Sequence, residues 1–265
     1  MASPQILALH GFTGDGTDFD ALRSHCPCDW HWHCPPLPGH DGTDAKPEDA
    51  SLDAHHRRLL RESDFFCADG PRAAPPVLLG YSMGGRIALS LALAARESFS
   101  ALVLIGATAG IVDDTERAER RRADDALADA LLADGTDAFI EQWWGNSIFD
   151  GLKKRLPPDA LAALRARRCK HAAAGLAASL RGVGVGVLAP LWEKLPTLEM
   201  PVLCIAGSED KKFAAAARAM AERLPNGTVR IIADAHHMPH LEMPEAVASA
   251  LRAFAPLGAP SRTGL

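Results

Sequence analysis

Ser82 stands in Gly80-Tyr81-Ser82-Met83-Gly84-Gly85, between the apolar run Pro75-Pro76-Val77-Leu78-Leu79 and the helix-forming Arg86-Ile87-Ala88-Leu89. That is strand, tight turn and helix, with G-x-S-x-G at the turn. The glycines are required because a serine on so sharp a turn leaves no room for flanking side chains. The turn exposes Ser82 Oγ at the end of a sheet, and the following helix offers N–H groups and the positive end of its dipole. A serine hydroxyl is a weak nucleophile and a weak base until a second group takes its proton and a third orients the second. Asp210, in Ile205-Ala206-Gly207-Ser208-Glu209-Asp210, and His237, in Ala235-His236-His237-Met238-Pro239-His240, each follow an apolar run. They come in the order Ser, Asp, His that such a turn uses. Glu209 is a rival to Asp210, and His236 to His237; His240 is expected nearer the last helix, as a packing or substrate-side residue. The first apolar run ends in His10-Gly11-Phe12, which points the N–H of Phe12 toward Ser82 Oγ. With the N–H of Met83 it makes an oxyanion hole. His10 is read as pinning that turn, with no proton to transfer.

Cations surround this set in the sequence. Arg86 lies one turn after the serine, where a guanidinium could grip a carboxylate with two parallel hydrogen bonds. Arg117, Arg120, Arg121 and Arg122 form one cluster, and Arg165, Arg167, Arg168 and Lys170 another. Most are expected on solvated helix faces, with one or two from each cluster turned inward over Ser82. Trp143-Trp144 would supply an apolar wall, or simply packing. An arginine-lined pocket predicts a small anionic substrate. The stretch His25-Cys26-Pro27-Cys28-Asp29-Trp30-His31-Trp32-His33-Cys34 carries metal-ligand residue types but matches no standard zinc spacing and lacks a second arm. No metal and no cofactor is expected.

The elements that must carry these residues are legible as short apolar runs separated by helix-like segments. Strands are expected at Gln5–Leu9, Trp30–Cys34, Val77–Gly80, Ala101–Ile105, Pro201–Ala206 and Val229–Ala233. Helices are expected at Ser51–Cys67, Met83–Arg96, Lys212–Leu224 and Pro244–Phe254. Continuous apolar strands alternating with helices predict an α/β fold, a mostly parallel sheet of about six or seven strands with helices on both faces. Residues 110–195 break the rhythm with Ala-, Arg- and Asp-rich helical sequence, read as a lid inserted between two strands. The core is then 1–109 with 196–256, and 257–265 is a tail. The chain of 265 residues is 48% hydrophobic with a formal net charge of −5. That excludes a strongly basic nucleic-acid binder and gives no general attraction to anionic membranes. Six cysteines, Cys26, Cys28, Cys34, Cys67, Cys169 and Cys204, are too sparse for a disulfide scaffold. No leader and no membrane-spanning run is read, so the expected compartment is the cytoplasm and the expected state a monomer or small homo-oligomer.

Together these residues resemble the α/β-hydrolase superfamily and, within it, the 2-succinyl-6-hydroxy-2,4-cyclohexadiene-1-carboxylate synthases of the menaquinone pathway. The resemblance rests on Leu9-His10-Gly11-Phe12-Thr13-Gly14-Asp15, Leu37-Pro38-Gly39-His40, Gly80-Tyr81-Ser82-Met83-Gly84-Gly85-Arg86, Glu116-Arg117-Ala118-Glu119-Arg120-Arg121-Arg122, the Trp143 region, Leu164-Arg165 and Gly207-Ser208-Glu209-Asp210-Lys211-Lys212-Phe213. Asp41 interrupts the usual Pro-Gly-His-Gly, and His236 replaces the usual glycine before the catalytic histidine. The resemblance implies a lyase that eliminates pyruvate from 2-succinyl-5-enolpyruvyl-6-hydroxy-3-cyclohexene-1-carboxylate in menaquinone or phylloquinone biosynthesis. It implies Ser82 as general base, His237 as proton relay and Asp210 as orienter. It assigns the substrate's carboxylates to Arg86, Arg120 and Arg165, and the pocket wall to Tyr81 and Trp143. The other reading is a carboxylesterase or C–C bond hydrolase of the same superfamily acting on a small anionic substrate; a non-catalytic ligand-binding module is the third.

Overall fold

The computed structural model describes residues 3–42, 45–65 and 75–257. Cys67 and most of the expected tail fall outside them. Six strands form one sheet: β1 (Gln5–Leu9), β2 (His31–His33), β3 (Val77–Tyr81), β4 (Ala101–Ile105), β5 (Val202–Gly207) and β6 (Gly227–Ile232). Their order is β2-β1-β3-β4-β5-β6, with every described pairing parallel. β1, β3, β4 and β5 lie inside the sheet, and all but the first residue of β1 is buried along them. Both faces are covered, so these strands need apolar residues at every position rather than at every second one.

Alternation then splits the core. Leu7, Leu9, Leu78, Leu102, Leu104 and Cys204 pack on one face with α3 (Met83–Ala94) and α8 (Lys211–Arg223). Ile6, Ala8, Leu79, Val103 and Ile205 pack on the other, with Leu22 of α1 (Asp20–Ser24) and Val247 of α10 (Pro244–Arg252). α2 (Leu52–Phe65) adds Leu59 to the first face. β1 and β4 have the expected bounds, and the other expected strands and helices differ by at most two residues at an end, where caps and turns rather than apolar pattern set the limit.

Between β4 and β5 the described elements are all helical: α4 (Asp114–Trp143), α5 (Asp150–Arg155), α6 (Pro158–Arg168) and α7 (Ala173–Val183), with short 3-10 turns. α4 is kinked at Gly135, whose φ of 80° suits glycine. It packs on α7 through Ala128, Leu131, Phe139, Ile140, Leu176 and Leu180, a third apolar cluster beside the sheet's own core. Gly39, with φ 81°, lies against the backbone of Gly175 in α7, where a Cβ would collide. The insertion therefore rests directly on the Leu37-Pro38-Gly39-His40 loop.

Candidate active site

Ser82 follows β3 and precedes α3 with φ 51° and ψ −111°, a conformation an L-residue rarely holds. Its own N–H donates to Ile105 O at 2.8 Å, tying the turn to β4. Gly80 and Gly84 cannot carry a side chain: a Cβ on Gly80 would enter the backbone of Gly84, and one on Gly84 the carbonyls of Leu9 and His10. Strand, turn and first loop are thus pressed together by glycines, and the strained serine is what the packing holds in place.

Ser82 Oγ lies 3.1 Å from His237 Nε2. On the other side of the ring, His237 Nδ1 lies 2.6 Å from Asp210 Oδ2. A carboxylate only accepts, so Nδ1 carries the proton and Nε2 is free to accept from the serine hydroxyl. Asp210 is itself oriented as the N-cap of α8, its Oδ1 accepting from the Phe213 N–H. The Phe213 ring packs 4.6 Å from the imidazole. Glu209, by contrast, is bound to Ser208 and Lys211 at the surface. His236 turns away from the serine, with Nδ1 3.5 Å from Glu242. His240 is buried with its ring 4.3 Å from that of Tyr81; burial pushes its pKa down to about 3, so it is neutral packing.

The first loop is held from three directions. His10 Nε2 accepts from Leu37 N–H, so its Nδ1–H donates to Gly11 O. His40 Nε2 accepts from Thr13 N–H at 3.2 Å. Thr13 O accepts from Arg168 Nη1 at 2.9 Å and from His171 Nε2 at 3.0 Å. Arg168 is buried and also bound to the buried Asp18. Thr13 has φ 62°, which this clamp sustains. The loop so fixed carries Phe12, and Met83 opens α3, where an N–H lacks an intrahelical acceptor. Both residues line the same cavity as Ser82 and His237.

That cavity, about 690 Å³, lies between the sheet's rim and the insertion. Arg86, Arg120, Asp124 and Trp143 also form its wall. Arg86 donates to Val183 O, while its Nε is buried without a partner. Burial, and Arg120 close by, lower its pKa to about 10, which leaves it charged at neutral pH. Arg120 is steadied by Asp124, Nε to Oδ1 at 2.8 Å. Trp143 stacks on Phe139, and its ring meets Phe12 edge-on.

Two expected wall residues are not on the wall. Arg165 pairs with Glu141 at an exposed site, because that face of α6 turns outward. Three residues on, Arg168 is the one turned inward, and it grips the first loop instead of a ligand. Tyr81 is 3% exposed, and its ring fills the space left by Gly11 beneath the serine. Side chains alternate along a strand, so the residue before Ser82 faces the opposite core. Asp124, Arg168, His40 and His171 had no assigned role in the sequence; Asp124 lies four residues after Arg120, a spacing that signals a helical ion pair. Among the described residues, no group of three or more His, Cys, Asp or Glu side chains could hold a metal. No helix among them is long and apolar enough to cross a membrane.

A serine on a strained strand–helix turn, at the rim of a parallel sheet and within reach of a histidine–carboxylate pair, defines a class of enzyme. The chain belongs to the alpha/beta hydrolase family, whose model matches residues 6–250. Within it, the chain is 30% identical to 2-succinyl-6-hydroxy-2,4-cyclohexadiene-1-carboxylate synthase of Salmonella typhimurium, over 94% of this chain and 92% of that protein. It is 35% identical to a Bacillus subtilis protein that bears the same name provisionally, over 92% and 87%. Among solved structures, MenH from S. aureus superimposes with a TM-score of 0.87 at 28% identity, covering 96% of this chain and 94% of that one.

Proposed function

We propose that the chain is a lyase of menaquinone or phylloquinone biosynthesis that eliminates pyruvate from 2-succinyl-5-enolpyruvyl-6-hydroxy-3-cyclohexene-1-carboxylate. The observation that carries this reading is the cavity wall: Arg86 and Arg120 face the same space as Ser82 and His237. An esterase for neutral substrates has no need of two guanidiniums there, whereas a tricarboxylate does. The likeness to synthases named for the diene product supports the same reading.

The chemistry is a 1,4-elimination. The succinyl carbonyl acidifies the ring C2–H. Ser82 Oγ takes that proton while passing its own to His237 Nε2, and Asp210 stabilises the imidazolium that forms. The C2–H electron pair becomes the C2=C3 bond, the C3=C4 pair moves to C4=C5, and the C5–O bond breaks. Enolpyruvate leaves with that electron pair, takes up a proton and becomes pyruvate. No atom of Ser82 joins the substrate. The N–H groups of Phe12 and Met83 stabilise the enolate oxygen that develops on the succinyl carbonyl. Arg86 and Arg120 hold carboxylates and fix C2 over the serine.

Incubation with the cyclohexene precursor tests this. Pyruvate, read with lactate dehydrogenase, and diene absorbance should rise together in equal amounts. No pyruvate, with a burst of acyl-enzyme on simple esters, would instead make the chain an esterase of the same superfamily.

A further inference from the structure

Glu242 closes α9 (Pro239–Glu242) with its side chain wholly buried, yet it lies on no wall of the substrate cavity. Its two oxygens accept the backbone N–H groups on either side of His237: Oε2 takes that of His236 at 2.7 Å and Oε1 that of Met238 at 2.9 Å. Two donors thus converge on one side chain, and only a carboxylate offers an acceptor to each. The same carboxylate is covered by the insertion. Gly151 of α5 lies so close that a Cβ there would penetrate the Glu242 carboxylate. Arg155, one turn on, is 3.9 Å from Oε2 and donates to the Asp234 carbonyl at the start of the histidine loop. Asp234 holds φ 59°, so that start is itself a strained turn.

We propose that Glu242 is a positioning residue for His237, and that α5 of the insertion holds the histidine loop through it. This rests on the reading of His237 as the base partner of Ser82. The carboxylate fixes the main chain on both sides of the histidine, while Asp210 fixes the ring. Backbone and ring are then set by different groups, and the 3.1 Å approach to Ser82 depends on both.

Glu242→Gln, Glu242→Asp and Gly151→Ala test it. Glutamine accepts from only one of the two N–H groups and turns an N–H₂ toward the other. Aspartate keeps both acceptors on a shorter stem. Alanine at 151 displaces the carboxylate without removing it. Expected are kcat losses of about tenfold to a hundredfold in Glu242→Gln and Gly151→Ala, since small misplacements of a reacting group cost that much, with KM changed less than about twofold. Glu242→Asp should recover part of the loss. A second readout needs no turnover: the far-downfield proton of the His237 Nδ1–H···Asp210 bond in the NMR spectrum should shift or broaden in Glu242→Gln and in Gly151→Ala. This separates failure of the proposal from failure of the lyase reading. If Glu242→Gln does not fold, Gly151→Ala and the NMR signal decide. An unchanged kcat and an unchanged downfield proton, with only a lowered melting temperature, would overturn the proposal and leave Glu242 a purely structural group.

Discussion

Ser82, His237 and Asp210 are far apart in the chain, yet each was legible because each follows an apolar run expected as a strand. What the sequence left open was choice among neighbours. Distance favours His237 over His236: His237 Nε2 lies 3.1 Å from Ser82 Oγ, whereas His236 Nδ1 lies beside Glu242. His237→Ala should lower turnover about 10²- to 10⁴-fold, the range for a lost general acid–base group, whereas His236→Ala should not. Steady-state pyruvate release from the two variants reads the difference. Arginine choice was less legible, because composition does not say which face of a helix turns inward. Arg165 and Arg168 sit three residues apart in the same cluster, and their roles diverge completely. Arg86→Ala should raise KM roughly tenfold to a hundredfold, as expected for hydrogen bonds to a charged group. Arg165→Ala should change KM less than about twofold, since an exposed pair contributes little.

The four inner strands were readable because burial on both faces demands uninterrupted apolar residues, and the elbow because its glycines are irreplaceable. Gly84→Ala should therefore destabilise the fold by about 2 kcal/mol or more, by steric conflict with the first loop. The midpoint of urea unfolding measures it. The clamp on that first loop was not readable. It joins Thr13 to His40, Arg168 and His171, residues from three separate segments, and nothing local in the sequence announces such a meeting. If the clamp holds the Phe12 N–H in place, Arg168→Met should reduce kcat by about tenfold or more while KM moves little, as for a weakened oxyanion donor. Comparable losses in kcat and KM would instead mark a ligand contact.

Across the whole molecule, several buried histidines must stay neutral. Burial lowers His10 and His55 to about 4 and His240 to about 3, and it depresses His40 and His171 as well. In the unfolded chain these rings take up protons below a pKa near 6.5; in the folded chain His10, His40, His55 and His240 do not until far lower, and His171 until lower. Stability is thus fully present above about pH 6.5 and declines as pH falls toward 4, by up to about 1.4 kcal/mol per pH unit for each ring. Urea midpoints taken from pH 7.5 to 4.5 should fall steadily over that window. The central claim, that Ser82 acts as a base and not as an acylated nucleophile, is reached most directly with substrate deuterated at ring C2. Pyruvate release under single-turnover conditions should slow by a primary isotope effect and vanish in Ser82→Ala, with no mass added to the protein during the reaction. A covalent adduct on Ser82, together with pyruvate release indifferent to the label, would contradict it.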